Sequence, residues 1–244
     1  DLFLESISTQ ALQNNVNFGA HTLTYCYSAG FRQSIIDQFN WTIIGDGYDP
    51  ICPDRFFLAP NGVTCMCPYA AVGESGDPGN GFVYTKRTEN QITPQNAGTT
   101  CTSGITEMRG LFFGLPDPIT DVTTWDVSNV IDMALLFYDQ PNFNQNLSNW
   151  DVSNVVYMDR MFREATSFNQ DISSWDVSNV VNFDEMFNVA VSFNQDIGNW
   201  DVSSATSMSS MFSGTNSQIP IFNQDIGGWD VSNVTKMDAM FYRN

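Results

Sequence analysis

The chain has 244 residues, of which 42% are hydrophobic and 14% aromatic, and this is ample for a buried core. It holds 27 acidic against 9 basic residues, which gives a formal net charge of −18. Such an excess of negative charge repels nucleic-acid phosphates and anionic lipid surfaces, and leaves proteins, glycans and cations as the expected partners. No apolar run approaches the roughly 18 residues of a membrane-spanning helix, so we expect no membrane span.

Residues 1–60 show no repeat and are predicted to form an irregular amino-terminal region. Apolar residues recur at helical offsets from Ser28 to Phe39, which predicts one short helix there. The next segment, residues 61–100, has short β-favouring runs separated by Gly- and Pro-rich turns, of which GDPGNG is the clearest. We therefore predict that residues 61–100 are a capping segment leading into the repeats.

All the cysteines lie in the first 101 residues, and the later repeats contain none: Cys26, Cys52, Cys65, Cys67 and Cys101. This segregation predicts an amino-terminal region held by disulfides, without fixing which pairs form. A zinc site is disfavoured, because Cys65 and Cys67 are only two residues apart and no second close pair exists.

From residue 101 to residue 244 the chain is organised by the motif WDVSNV. The spacing between neighbouring motif tryptophans is 25, 25, 25 and 29 residues, which indicates stacked repeats. The full unit is F-N-Q-D-I-x-x-W-D-V-S-N-V-x-x-M-x-x-M-F, and a degenerate first repeat near Cys101 precedes five repeats, the last incomplete. The motif tryptophans are Trp125, Trp150, Trp175, Trp200 and Trp229.

The spacing within one unit predicts a strand followed by a short helix. Trp175 and Val177 alternate with Asp176, as on a half-buried strand, which places the tryptophan column in the core. After the motif, apolar residues fall at helical offsets, as in Val155, Met158, Met161 and Phe162. We therefore predict an α/β solenoid of about 25-residue strand–helix units with a parallel, leucine-rich-repeat-like sheet.

The repeat FNQDISSWDVSNV, at Phe168 to Val180, closely resembles the BspA-like leucine-rich-repeat surface proteins, a group of secreted and lipid-anchored microbial proteins. The segment from NGVTCMCPYAAVGESG to TTCTSGITEM also resembles the lead-in of that family, so the resemblance covers about residues 61–244. It implies a right-handed solenoid displayed outside the cell for adhesion, matrix building or partner binding. It also implies a disulfide between Cys67 and Cys101, with Cys26 and Cys52 as the next pair.

This chain departs from the leucine-rich-repeat pattern at one position of the motif. The asparagine of WDVSNV falls one residue earlier than the asparagine that forms the usual hydrogen-bonded ladder. Two interpretations follow: a shifted ladder, or a Ser-Asn pair that caps the start of the predicted helix.

Stacking places the motif aspartates in one column, about 5 Å apart, where like charges repel: Asp126, Asp151, Asp176, Asp201 and Asp230. Calcium between the repeats is one way to relieve this repulsion, because carboxylate oxygens suit it. Hydrogen bonds from backbone amides or Ser and Asn side chains of a neighbouring loop are the other, and we favour them.

Two further polar features recur along the chain. Asn-Gln pairs follow the phenylalanine of each unit and are predicted to bond from repeat to repeat, although a polar row facing a glycan is also possible: Asn144, Asn169, Asn194 and Asn223. Three N-x-S/T sequons are candidate glycosylation sites in a secreted eukaryotic protein: Asn40, Asn146 and Asn233.

Catalysis finds little support in this sequence. The lone histidine, His21, has no nucleophile paired with it in sequence, and Cys65 has no activating neighbour. We predict a non-catalytic extracellular or cell-surface scaffold that binds proteins or copies of itself, without a resident cofactor. The last repeat lacks a polar closing unit, which a longer natural chain, a lost disordered tail or a packed subunit would each explain. We favour a packed subunit in an extracellular assembly. The alternative is a calcium-dependent carbohydrate-binding surface protein.

Overall fold

The computed structural model of the chain describes residues 55–116 and 118–244, together with four short strands within residues 1–54. The chain divides into two compact units, Asp1–Asp54 and Arg55–Asn244. The strands of the first unit are β1 Asn17–Gly19, β2 Thr24–Tyr25, β3 Thr42–Ile44 and β4 Gly47–Tyr48. β1 pairs with β3, and β2 with β4, in parallel. Outside the described residues lie the helix predicted from Ser28 to Phe39, and also His21, Cys26, Cys52 and Asn40.

The second unit begins with two small sheets that precede the repeats. Their strands are β5 Phe57–Leu58, β6 Cys65–Met66, β7 Ser75–Gly76, β8 Tyr84–Lys86 and β9 Thr100–Cys101. β5 and β6 form an antiparallel hairpin, which we call the entry hairpin. β8 pairs antiparallel with β7 and parallel with β9. Short strands joined by turns are therefore confirmed for this segment, and Asp77 shapes the GDPGNG turn by accepting amide hydrogen bonds from Gly79 and Gly81.

The predicted α/β solenoid of strand–helix units, implied to be right-handed, is wrong. The described residues contain no α-helix, only two 3₁₀ turns, Glu89–Gln91 and Ala97–Thr99, and no helix among them could span a membrane. The tryptophan segments also do not close into a parallel sheet. Successive repeats share one isolated parallel bridge each: Glu107 with Asp132, Asp132 with Tyr157, Tyr157 with Asn182, Asn182 with Ser207 and Ser207 with Lys236.

The backbone conformation after each motif explains why no helix forms. Arg160 and Glu164 have φ angles of 57° and 61°, in the left-handed region that an α-helix of L-residues excludes. Glycine occupies the same two positions of the first repeat, Gly110 and Gly114, where this conformation carries no steric penalty. Left-handed residues recur in the other repeats at Leu135, Asp139, Glu185, Val189, Ser210, Ala239 and Arg243. The helix-like spacing of buried residues is produced here by successive tight turns.

The amides of these turns bond to the next repeat instead of to carbonyls within a helix. Four donors of one repeat, in alternate positions, reach carbonyls of the next at 3.1, 2.9, 3.0 and 2.8 Å: Met158, Arg160, Phe162 and Glu164. The same pattern starts from residues 133–139, 183–189 and 208–214. We call residues 107–115 and their counterparts in later repeats the ladder segments. Each junction between repeats is therefore stabilised by main-chain hydrogen bonds.

The apolar columns form one continuous core through the repeats, as predicted. The motif tryptophans are between 0% and 9% exposed, and each indole Nε1 donates to a backbone carbonyl on the preceding side of the stack at 3.0 to 3.2 Å. The ring of Trp125 lies 6.2 Å from that of Trp150. Phe162 stacks on Phe137 and Phe187 at 5.6 and 5.7 Å between ring centroids. The apolar side chains of each repeat are thus buried against those of the neighbouring repeats.

Candidate functional site

The aspartate of each motif closes a tight turn within its own repeat. Asp176 Oδ1 accepts hydrogen bonds from the backbone amide of Ser178 at 3.1 Å and from its hydroxyl at 2.6 Å. The amide bond recurs at 3.0 to 3.2 Å for all the motif aspartates: Asp126, Asp151, Asp176, Asp201 and Asp230. The predicted hydrogen bonding is confirmed, but its donors belong to the same turn and not to a neighbouring loop. Calcium binding by the column stays a prediction.

In the last two motifs, the turn favours the charged form of the aspartate. The hydroxyl and the backbone amide of Ser203 lower the pKa of Asp201. The backbone amide and the hydroxyl of Ser232 lower the pKa of Asp230, which the charge of Asp201 partly opposes. Hydrogen bonds donated to a carboxylate stabilise its ionised state. Asp201 and Asp230 therefore keep their negative charge further into the acidic range than an ordinary aspartate does.

One part of each repeat carries aspartate and no basic residue. A second aspartate before each motif accepts an amide hydrogen bond from the residue two positions later, and Asn146 takes its place in one repeat. The stretches that contain these two positions, which we call the acidic segments, are residues 118–130, 141–156, 166–181, 191–206 and 220–235. They contain aspartate but neither lysine nor arginine. Their charge is therefore not neutralised within the segments themselves.

Basic side chains lie in the ladder segments instead and form an ion-pair network that the sequence analysis missed. Arg109 contacts Asp132 at 3.1 Å and Asp159 at 3.5 Å, and Arg160 contacts Glu185 at 2.7 Å. Burial raises the pKa of Asp159, an effect that Arg109 and Arg160 partly offset. Arg160 and Glu185 are one repeat of 25 residues apart, and this offset was the signal that could have predicted their contact.

The amide side chains link neighbouring repeats, as predicted for the Asn-Gln pairs. Asn144 Oδ1 accepts from the backbone amide of Asn169 and from the side chain of Gln170, both at 3.0 Å, and the pattern recurs in the next repeats. The asparagine of WDVSNV forms a second row, in which Asn154 donates to the carbonyl of Ser128 at 2.7 Å. The helix-capping interpretation is wrong, because no helix follows the motif.

A cleft of about 290 Å³ lies between the entry hairpin and the first two motifs. Asp126 lines it and is only 4% exposed, whereas its four counterparts in later repeats are exposed. Its Oδ2 atom is buried and has no hydrogen-bond partner. The repeat spacing predicts the same environment for every motif aspartate, and the burial of Asp126 was therefore not predicted. No three acidic, cysteine or histidine side chains in the described part of the chain converge on a metal site.

Cys67 and Cys101 form a disulfide, the pair that the resemblance implies, and Cys65 beside them keeps a free thiol. Cys65 is fully buried, and this burial, together with the charge of Asp126, raises the pKa of its thiol to about 12. Because the thiolate is the reactive form, Cys65 is inert at neutral pH.

The structure describes two of the three sequons. Asn146 is exposed, and its Oδ1 atom accepts a hydrogen bond from the amide of Ser148 at 3.0 Å. Its side-chain nitrogen donates no hydrogen bond to the described residues. Asn233 is also exposed, but its side-chain nitrogen donates to the carbonyl of Ser203 at 2.8 Å. Of the two, Asn146 is the more available acceptor for a glycan.

The repeats match a known family model three times, over residues 83–191, 106–220 and 171–244. The model is described as "Mycoplasma protein of unknown function, DUF285", and together the matches span more than half of the chain. The chain belongs to the DUF285 family. No curated protein and no solved structure matches it.

The DUF285 matches overlap, as expected when one model aligns with several registers of an internally repeated chain. They begin just before β8 and extend through every motif, so the ladder segments, the acidic segments and the tryptophan column all lie within DUF285 sequence. The family description assigns no activity. The function of this DUF285 protein must therefore be argued from its own residues.

Proposed function

We propose that this DUF285 protein is a non-catalytic extracellular or cell-surface protein of the BspA-like kind, a structural or adhesive scaffold for contacts with other proteins. The observation that supports this most is how the repeats use their side chains. Apolar groups fill shared columns, and amide groups bond to the neighbouring repeat. What faces outward is a regular, acid-rich surface of turns, and such repetition suits broad contacts better than one small substrate.

The disulfide supports a compartment outside the cytosol. Cys67 and Cys101 close a loop of 34 residues, and both sulfurs lie in a small core with Phe56 and Tyr84. Disulfides of this structural kind persist mainly in secreted or surface proteins, because cytosolic thiols are kept reduced.

The chemistry of the described residues favours a role without catalysis. The one described free thiol, Cys65, is buried and protonated. The motif aspartates are engaged in turns with serine, which is a structural use of the carboxylate. A general acid or base needs a positioned partner in a cleft, and neither group has one in this part of the chain.

One apolar surface is a candidate for contacts with other proteins. The loop at residues 214–221 contains the four extra residues that lengthen one spacing between motif tryptophans to 29. It exposes Ile219 and Ile221, each 58% accessible. Exposed apolar groups of this size favour association with protein surfaces. They support the proposed place of the chain in a larger assembly.

Labelling of intact cells that produce the protein tests its location. A membrane-impermeant amine reagent should modify it before lysis, and the recovered protein should contain the Cys67–Cys101 disulfide. A cytosolic protein in the same sample should stay unlabelled and serves as the control. Labelling only after lysis, with both cysteines recovered as thiols, would contradict an extracellular scaffold.

Cross-linking on the same cells tests the scaffold role. The wild-type chain should yield a discrete cross-linked protein partner, or a dimer of itself, and Ile219→Asp with Ile221→Asp should reduce that product. Phe82→Asp is the matched control, because Phe82 is 68% exposed but lies in the segment before the repeats. Equal products from all three proteins would count against contacts through the loop at residues 214–221.

The alternative function, a calcium-dependent carbohydrate-binding surface protein, is favoured by one observation. The cleft at Asp126 combines two carboxylates with amide and hydroxyl side chains, and groups of this kind serve both cations and sugars. A glycan array probed with and without calcium separates the two functions. Binding that chelation abolishes would favour the carbohydrate-binding protein, and an array without signal would favour the scaffold.

A further inference from the structure

The cleft beside the entry hairpin differs from the rest of the motif surface because it encloses an aspartate. Its lining contains carboxylate, amide and hydroxyl groups and no basic side chain: Ala59, Asn61, Thr64, Met66, Trp125, Asp126, Val127, Ser128, Asn149 and Asp151. The entry hairpin contributes one wall, and the first two motifs contribute the other.

The two carboxylate oxygens of Asp126 differ in their hydrogen bonding. Its Oδ1 atom accepts two hydrogen bonds from Ser128, from the amide at 3.2 Å and from the hydroxyl at 2.7 Å. Its Oδ2 atom is buried and accepts none. An ionised oxygen withdrawn from water without a partner is unfavourable, so a native structure is expected to supply one.

Asp151, one repeat later, brings a second carboxylate to the same cleft. Its Oδ1 atom is used by the amide and hydroxyl of Ser153, at 3.1 and 2.6 Å, so its Oδ2 atom is the one available to a ligand. Two negative groups in one enclosure repel each other. The charge of Lys86 acts on Asp126, but its Nζ atom donates to the carbonyls of Cys67 and Pro68, at 3.0 and 3.3 Å, and not to either carboxylate. The missing partner should therefore carry positive charge.

We propose that this cleft binds one calcium ion between Asp126 and Asp151. The ligands assigned are the Oδ2 atoms of both aspartates and the side-chain oxygen of Asn149, with water completing the coordination. Calcium accepts six to eight oxygen ligands, including neutral ones, in flexible geometry, so two carboxylates suffice. Magnesium is disfavoured, because it demands a near-ideal octahedron.

The ion neutralises the one buried motif aspartate and links the first two motifs beside the entry hairpin. Sites in extracellular modules typically bind calcium with dissociation constants of about 10⁻⁴ to 10⁻³ M. Calcium occupancy in the organism therefore rests on the proposed extracellular location, whereas calcium binding to the purified protein does not. A purified protein that binds no calcium would refute the site, and a cytosolic location would refute only the proposed function.

Terbium luminescence on the full chain tests the site directly. Trp125 lines the cleft, and Trp150 stacks on it at 6.2 Å, so excitation of tryptophan should sensitise a terbium ion bound there. We expect one saturable site from which calcium displaces terbium. A signal that never saturates, or that calcium cannot displace, would overturn the proposal.

Three substitutions test the ligands, one of them as a control. Asp151→Asn keeps the turn to Ser153 but removes the charge, and should weaken calcium binding at least tenfold in calorimetry. Asp201→Asn is the matched control, since Asp201 has the same turn but lies two repeats away from the cleft. Asp126→Asn should abolish the site, with circular dichroism to check folding. Equal effects at Asp151 and Asp201 would show general screening of negative charge and refute a specific site.

Discussion

Ser210 offers a test of the left-handed turns that replace the predicted helices. Its φ angle is 55°, and its backbone amide donates to the carbonyl of Asp238 in the next repeat at 2.8 Å. For a residue with a Cβ atom this conformation costs roughly 1 to 2 kcal/mol, and glycine avoids that cost while losing about 0.5 to 1 kcal/mol more chain entropy on folding. Ser210→Gly should therefore be more stable than Ser210→Ala by about 0.5 to 1 kcal/mol.

A helix at this position would give the opposite sign, because glycine costs about 1 kcal/mol relative to alanine inside a helix. Urea unfolding followed by tryptophan fluorescence measures the difference, with the midpoints compared at equal slope. Ser209, the residue before it, is not left-handed, so there alanine should be the more stable replacement. If alanine exceeded glycine by about 1 kcal/mol at Ser210 as well, the turn conformation described here would be refuted.

Three further outcomes are expected. Trp175→Phe should destabilise the fold by about 1 to 3 kcal/mol in urea unfolding, because it leaves a buried carbonyl without its indole donor; a change near zero would contradict that role. Ser203→Ala should raise the pKa of Asp201 towards its ordinary value in an NMR titration. Since the pKa of Asp201 is lowered in the folded state, this hydrogen bond stabilises the fold at pH values above the unfolded pKa of Asp201. That stabilisation is lost as the pH falls through the folded pKa. An unchanged titration would argue against the hydrogen bond. Replacing Cys67 and Cys101 together by serine should cost about 3 to 4 kcal/mol by denaturant unfolding, and wild-type stability in the variant would contradict a structural disulfide.

Repetition allowed the core to be predicted from sequence, because side chains at equal intervals must share one environment if the units stack. Trp175 and Val177 are buried, while Asp176 between them is exposed, as alternation predicts. The Asn-Gln pairs were assigned correctly for a related reason. An amide repeated at the same interval meets its own counterpart, as Asn169 meets Asn144.

The same spacing did not determine the backbone conformation. Offsets of three and four place Val155, Met158 and Phe162 on one side of either a helix or a series of turns, so burial alone cannot separate the two. The local hints were Gly110 and Gly114, which take the left-handed positions of the first repeat. They were uninformative in isolation, because glycine is common in turns of every kind.

The sequence by itself determined the period, the composition of the buried columns and the acidic exterior, since each follows from residue type and interval. Only the tertiary structure decided that amides bond across repeats after each motif, because that depends on the left-handed residues. Only the tertiary structure singled out Asp126, since the residues that enclose it, Asn61 and Thr64, lie about sixty positions earlier in the chain. Contacts between distant segments have no fixed interval, and a periodic pattern therefore contains no information about them.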